Sequence, residues 1–165
     1  MKTSRYILFC FVIFFTNSLR AQTFFKNSKV IVSWKVGDIK TKTAKLKNGA
    51  ALMLDYDGYT LNAFLIKKEQ HILLHKFNDG GPWNKLDIAV YDFDKDGINE
   101  IAVTYGDTKT LLFGLLVYKI KNDTAVEIAD LQGQQSCAFY KNRITLTSNT
   151  KEKPATYILK GGKFL

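Results

Sequence analysis

In the stretch Tyr91-Asp92-Phe93-Asp94-Lys95-Asp96-Gly97-Ile98-Asn99-Glu100-Ile101, acidic side chains alternate: Asp92, Asp94 and Asp96 stand at loop positions one, three and five, Glu100 at nine, and Gly97 at six. Alternation of this kind suits a hard divalent cation. Calcium takes about six to eight oxygen ligands at flexible geometry, so a short loop encloses it only if every second residue turns an oxygen inward. Asp92, Asp94 and Asp96 meet that demand. Gly97 lets the chain reverse and bring the Ile98 carbonyl onto the ion, because a residue without Cβ reaches positive φ at little cost. Glu100 then closes the cage. Without metal, the converging carboxylates repel one another, so the empty loop is expected to be loose or partly protonated. An Asp/Gly-rich hairpin turn favours the same residue types, but it needs one or two of them rather than four in alternation.

The flanks separate two kinds of calcium loop. An EF-hand has helices on both sides and a bidentate Glu at position twelve. Position twelve here is Val103, and the neighbours Leu86-Asp87-Ile88-Ala89-Val90 and Ile101-Ala102-Val103-Thr104-Tyr105 are rich in the apolar and β-branched residues of strands. The order strand, DxDxDGxxE, strand resembles the calcium loops of FG-GAP and VCBS-type repeats, and of small exported β-proteins related to periplasmic lysozyme inhibitors. That resemblance covers residues Asp87 to Tyr105. It implies calcium held by Asp92, Asp94, Asp96, the Ile98 carbonyl and Glu100. Proteins of this kind usually carry Asp at the ninth position, and FG-GAP domains repeat the loop blade after blade, whereas this chain has the longer Glu100 and a single copy.

Other reactive side chains are set less tellingly. His71 and His75, four apart, would share a strand face, but Ile72 stands where a zinc protease motif has Glu. Cys137 has no familiar cysteine-protease surroundings and suits a buried inert thiol. Glycine-rich phosphate loops and GxSxG elbows are absent from the sequence. The loop carboxylates lie too close in sequence for the separated pair of a glycosidase. A hydrolase would have to assemble its site from scattered residues such as Asp55, Asp57, Asp107 and His75. Trp83, Tyr56 and Tyr59 sit in turn-rich stretches where aromatic rings contact glycans or proteins, or tuck under the loop as core. Asn122-Asp123-Thr124 is a formal glycosylation sequon.

What positions the loop begins with the N-terminus. Lys2 and Arg5, the apolar run Tyr6 to Phe15, a polar stretch and Ala21 have the layout of a secretory signal peptide. The run is well short of the ~20 residues of a membrane-spanning helix, and Cys10 lacks the small residues that precede a lipoprotein cut. Residues 1–21 are therefore expected to be a cleaved leader and 22–165 a single exported domain, secreted or periplasmic, with no stable membrane anchor. Loss of Lys2, Arg5 and Arg20 lowers the formal charge from +9 by three, to +6. Arg143 is then the lone arginine among dispersed lysines, which argues against nucleic acid, since arginine is the residue that forks onto phosphate and guanine. Cys137 is the one cysteine left, so no internal disulfide can form.

Turn dipeptides (Asn48-Gly49, Asp57-Gly58, Asp79-Gly80, Asp96-Gly97, Asn122-Asp123, Gly161-Gly162) punctuate runs rich in Val, Ile, Leu, Phe, Tyr and Thr. Alternation predicts a strand over Val30 to Val36, with Val30, Val32, Trp34 and Val36 facing a core. Twelve more follow: 44–47, 50–55, 60–67, 71–77, 86–91, 101–105, 111–119, 126–131, 136–140, 143–147, 156–160 and 163–165. The expected fold is all-β, an antiparallel sandwich or small barrel carrying one calcium loop, with an incomplete propeller-like sheet as the alternative. The expected function is that of a non-enzymatic calcium-binding module with a protein or glycan partner at the cell envelope or outside it. By resemblance, one version is an inhibitor of a cell-wall hydrolase. The alternative is a polysaccharide-processing hydrolase with structural calcium.

Overall fold

The computed structural model describes residues 23–78, 81–148 and 153–165. The expected leader, 1–21, and the Asp79-Gly80 turn lie outside the described residues. Strands β1 (Val30–Lys35), β2 (Lys42–Lys45), β3 (Ala51–Tyr56), β4 (Thr60–Lys67), β5 (Gln70–Asn78), β6 (Lys85–Tyr91), β7 (Glu100–Gly106), β8 (Leu112–Lys121), β9 (Thr124–Gln134), β10 (Ser136–Tyr140), β11 (Arg143–Thr147), β12 (Ala155–Lys160) and β13 (Lys163–Phe164) account for the regular structure of the described residues. They form three antiparallel sheets of order β2-β3-β4-β5, β1-β6-β7-β8-β9 and β10-β11-β12-β13. Among the described residues none of these closes into a barrel. The architecture is a layered sandwich of three successive meanders, with β1 added to the edge of the middle one.

Two hydrophobic cores show why the layers stack. Leu52, Leu54, Leu61, Ala63, Leu65, Ile72, Leu74 and Phe77 of the first sheet pack with Leu86, Ile88, Ile101, Val103, Leu116 and Tyr118 of the middle sheet. The opposite face of that middle sheet, through Ala89, Ala102, Phe113, Leu115 and Val117, packs with Phe139, Ile144, Leu146 and Phe164 of the last sheet and with Phe24 and Phe25. Side chains alternate across a strand, so β6, β7 and β8 bury both faces. Their sequences are accordingly near-continuous apolar runs, whereas β3 and β4, covered on one face only, alternate between fully and partly buried residues. Gly114 is the exception in β8 with a steric reason: a Cβ there would meet the Tyr105 ring at 2.2 Å.

Strand bounds depart from expectation where the backbone turns. Val36 is not core; β1 ends at Lys35 and Val36 is 63% exposed. A bulge between Val30 and Val32 also sends Val30 to the second core and Val32 to the first. β2 lies two residues earlier than the predicted 44–47, because Leu46 already belongs to the Asn48-Gly49 turn, its N–H bonded to the Ala50 carbonyl. Leu111 has φ 61° and stays outside β8.

Burial on both faces of the middle sheet makes a direct prediction. Ile88→Ala, in the first core, and Leu115→Ala, in the second, should each lower unfolding free energy by about 2–5 kcal/mol in denaturant titrations. A loss below about 1 kcal/mol for either would contradict that face's being core.

Candidate metal centre

The acidic loop joins the adjacent strands β6 and β7, and an aromatic plug fixes its first half. Phe93 is fully buried in the second core, with its ring 5.0 Å from those of Phe139 and Phe164 and 4.8 Å from that of Tyr91. Its carbonyl accepts a 2.8 Å bond from the Asn142 N–H in the β10–β11 turn, and its own N–H donates to Glu100 Oε2 at 2.9 Å. Alternation then leaves Asp92 and Asp94 partly solvated on either side of the plug. Lys95 and Gly97 adopt φ 64° and 86°. No atom lies within 4 Å of a Cβ built at Gly97, so glycine is required there by the left-handed backbone and not by lack of space.

Each aspartate gives one oxygen to folding the loop. Gly97 N–H donates to Asp92 Oδ2 at 3.2 Å, Asp96 N–H to Asp94 Oδ1 at 3.3 Å, and Ile98 N–H to Asp96 Oδ1 at 2.8 Å. The last two are Asx turns, and the Gly97 bond to Asp92 closes the loop across five residues. Asp92, Asp94 and Glu100 each offer an oxygen within 4.8 Å of the others. Asp96 joins the group through a cation that sequence reasoning missed, the Lys119 ammonium of β8. Its Nζ stands 2.6 Å from Asp94 Oδ2, 2.7 Å from Asp96 Oδ2 and 3.3 Å from Glu100 Oε1. Lys119 lies one position beyond the Ile101–Tyr118 pair, so it is delivered beside Glu100 by strand register. The Ile98 side chain is exposed and takes no part.

The carboxylates are not unopposed: Lys119 offsets part of their charge, and backbone N–H groups bonded to the three aspartates hold the turn. Lys119, bonded to Asp94 and Asp96, has its pKa raised, and the Lys119 bond and the Ile98 N–H hold Asp96 below its ordinary range. Glu100 is pushed up, first by burial and then by Asp94, against the Phe93 N–H and Lys119.

The residues fit a metal by a separate criterion. The buried Asp92 Oδ1 receives no hydrogen bond, and the Oε1 of Glu100, a residue 1% exposed, accepts none either and faces the Lys119 ammonium at 3.3 Å. Buried carboxylate oxygens ordinarily find partners, and each exception needs an explanation. The available donors are all oxygens, as hard cations prefer. A cavity of about 170 Å³ opens beside the cluster, lined by Asp94, Glu100, Lys119, Lys121, Ile128, Leu159 and Gly162.

The remaining candidates do not converge. His71 lies against Phe64, while His75 Nδ1 meets the Tyr118 hydroxyl at 2.9 Å. The expected shared face is lost because a bulge opposite Ala63 and Phe64 falls between the two histidines. Asp55 accepts from Thr41, Asp57 caps its own turn through the Tyr59 and Thr60 N–H groups, and Asp107 binds Asn84 and the Lys109 N–H. Trp83 packs against Trp34 and Phe77, and Tyr56 against Trp34, as core. Tyr59 is 80% exposed. Cys137 is buried and its thiol pKa is raised by that burial.

No protein-family model and no solved structure matches the chain. Over 80 residues, 48% of the chain, it is 32% identical to Copine-C of Dictyostelium discoideum, and the match spans 15% of that protein's length.

His75 gives a pH test of the packing of β5 on the first core. Burial holds its pKa below 6.5, so the unfolded chain takes the proton first and stability must fall as pH drops through about 6.5 toward the lower folded value. Denaturation midpoints between pH 8 and 5 should show that loss in the protein and lack it in His75→Gln; equal profiles would contradict it.

Proposed function

We propose that the chain is an exported, non-enzymatic calcium-binding β-domain that serves as an interaction module for a protein or glycan at the cell envelope or outside it. Asp92, Asp94, Asp96, the Ile98 carbonyl and Glu100 would hold the ion. The observation that carries this reading is the convergence of Asp92, Asp94 and Glu100 oxygens within 4.8 Å of one another, with the buried Asp92 Oδ1 left without a hydrogen bond and Glu100 Oε1 faced by the Lys119 ammonium alone at 3.3 Å. Bound calcium would supply the charge that such a group needs away from water. It would also tie the β6–β7 hairpin, through Phe93, to the last sheet.

Export suits such a site. Extracellular calcium modules bind with dissociation constants of about 10⁻⁴–10⁻³ M, so the loop would load outside a cytoplasm and stay empty within it. Within this reading, a protein partner of the cell-wall hydrolase class is the version that the loop resemblance favours. Loss of muramidase activity when the domain is titrated into lysozymes of different classes would support it; undiminished activity throughout would remove that version.

Calcium at a hundredfold excess over its dissociation constant should stabilise the fold by about 2.7 kcal/mol, seen as a higher melting temperature than in chelator. Asp94→Ala should abolish the difference. A melting temperature indifferent to calcium in the unsubstituted protein would contradict the reading.

A further inference from the structure

We propose that Lys119 is a resident cation that competes with calcium for the loop, so that the ion loads only when the ammonium leaves and Lys119 sets the calcium concentration at which it does so. This rests on the calcium reading above and adds its regulation. The Nζ lies within 3.3 Å of carboxylate oxygens from Asp94, Asp96 and Glu100, three of the five expected ligands. A calcium ion about 2.3–2.6 Å from the same oxygens would sit almost on the ammonium. The two positive charges cannot share those oxygens, because repulsion at such separations is strong wherever solvent is partly excluded.

Lysine is suited to such a role. Its charge is compact and rides on a flexible four-carbon stem, unlike the planar fork of arginine. The ammonium also has somewhere to go: Lys119 lines the adjoining cavity, whose wall continues through Ile128, Leu159 and Gly162 to Lys121. The competitor is built into the same sheet as the loop. Glu100 begins β7 and Lys119 lies near the end of β8, its antiparallel neighbour. Exchange of one cation for another therefore leaves the hairpin folded in both states. Calcium would then replace the lysine without first having to order the chain.

The test compares the protein with Lys119→Met, which keeps the stem and removes the charge, and with Lys119→Gln should methionine fail to fold. Calcium is titrated calorimetrically and melting is followed in chelator. The substituted protein should bind calcium about tenfold tighter or more, and melt at a lower temperature in chelator than the unsubstituted one. In saturating calcium that deficit should shrink or reverse. Calcium affinity equal to or weaker than that of the unsubstituted protein would overturn the role of Lys119 while leaving the calcium site standing. Absence of binding in every variant would overturn the calcium reading itself, and this proposal with it.

Discussion

A carboxylate buried at the first position of β7 is the constraint around which the rest is arranged. Glu100 is almost wholly removed from solvent at the edge of an aromatic core, and an ionised group in that position must be matched by positive charge and hydrogen bonds. The Phe93 N–H serves one of its oxygens. The other faces Asp92, Asp94 and the Lys119 ammonium. Four carboxylates against one ammonium leave a local excess of negative charge, and that excess is what a divalent ion would neutralise. The proposed calcium chemistry thus follows from an electrostatic imbalance in the fold as much as from a motif.

The fold sets this imbalance through three consecutive strands. The loop leaving β6 carries Asp92 and Phe93, β7 delivers Glu100 and β8 delivers Lys119, with Phe93 packed into the second core. Because that sheet is buried on both sides, its register is strongly specified; a one-residue slip would send every apolar side chain to the wrong layer and Lys119 away from Glu100. The Asn142 N–H bond to the Phe93 carbonyl extends the connection to the last sheet. An ion in the loop would bear on the packing of two layers rather than on an isolated surface turn.

Much of this was legible in the residues. Strand identity followed from alternation and turn dipeptides, and the double-sided burial of β6 to β8 is written in their unbroken apolar runs. Asp92, Asp94 and Glu100 come together as their spacing suggested. What escaped the sequence was long-range. Lys119 is 19 residues beyond Glu100, one lysine among many, and only cross-strand register singles it out. The turn at Lys68-Glu69 has positive φ at both residues without the Gly or Asn that normally announces it, so its geometry is set by the β4–β5 pairing. The His71–His75 spacing misled because a bulge re-aims one ring, a change of face that periodicity does not carry.

Anomalous diffraction from a crystal grown in millimolar calcium tests the central claim most directly. The account predicts an ion about 2.3–2.6 Å from oxygens of Asp92, Asp94, Asp96, Glu100 and the Ile98 carbonyl, with the Lys119 ammonium withdrawn. A map with no anomalous peak in the loop, and Lys119 still bridging Asp94 and Asp96, would contradict it.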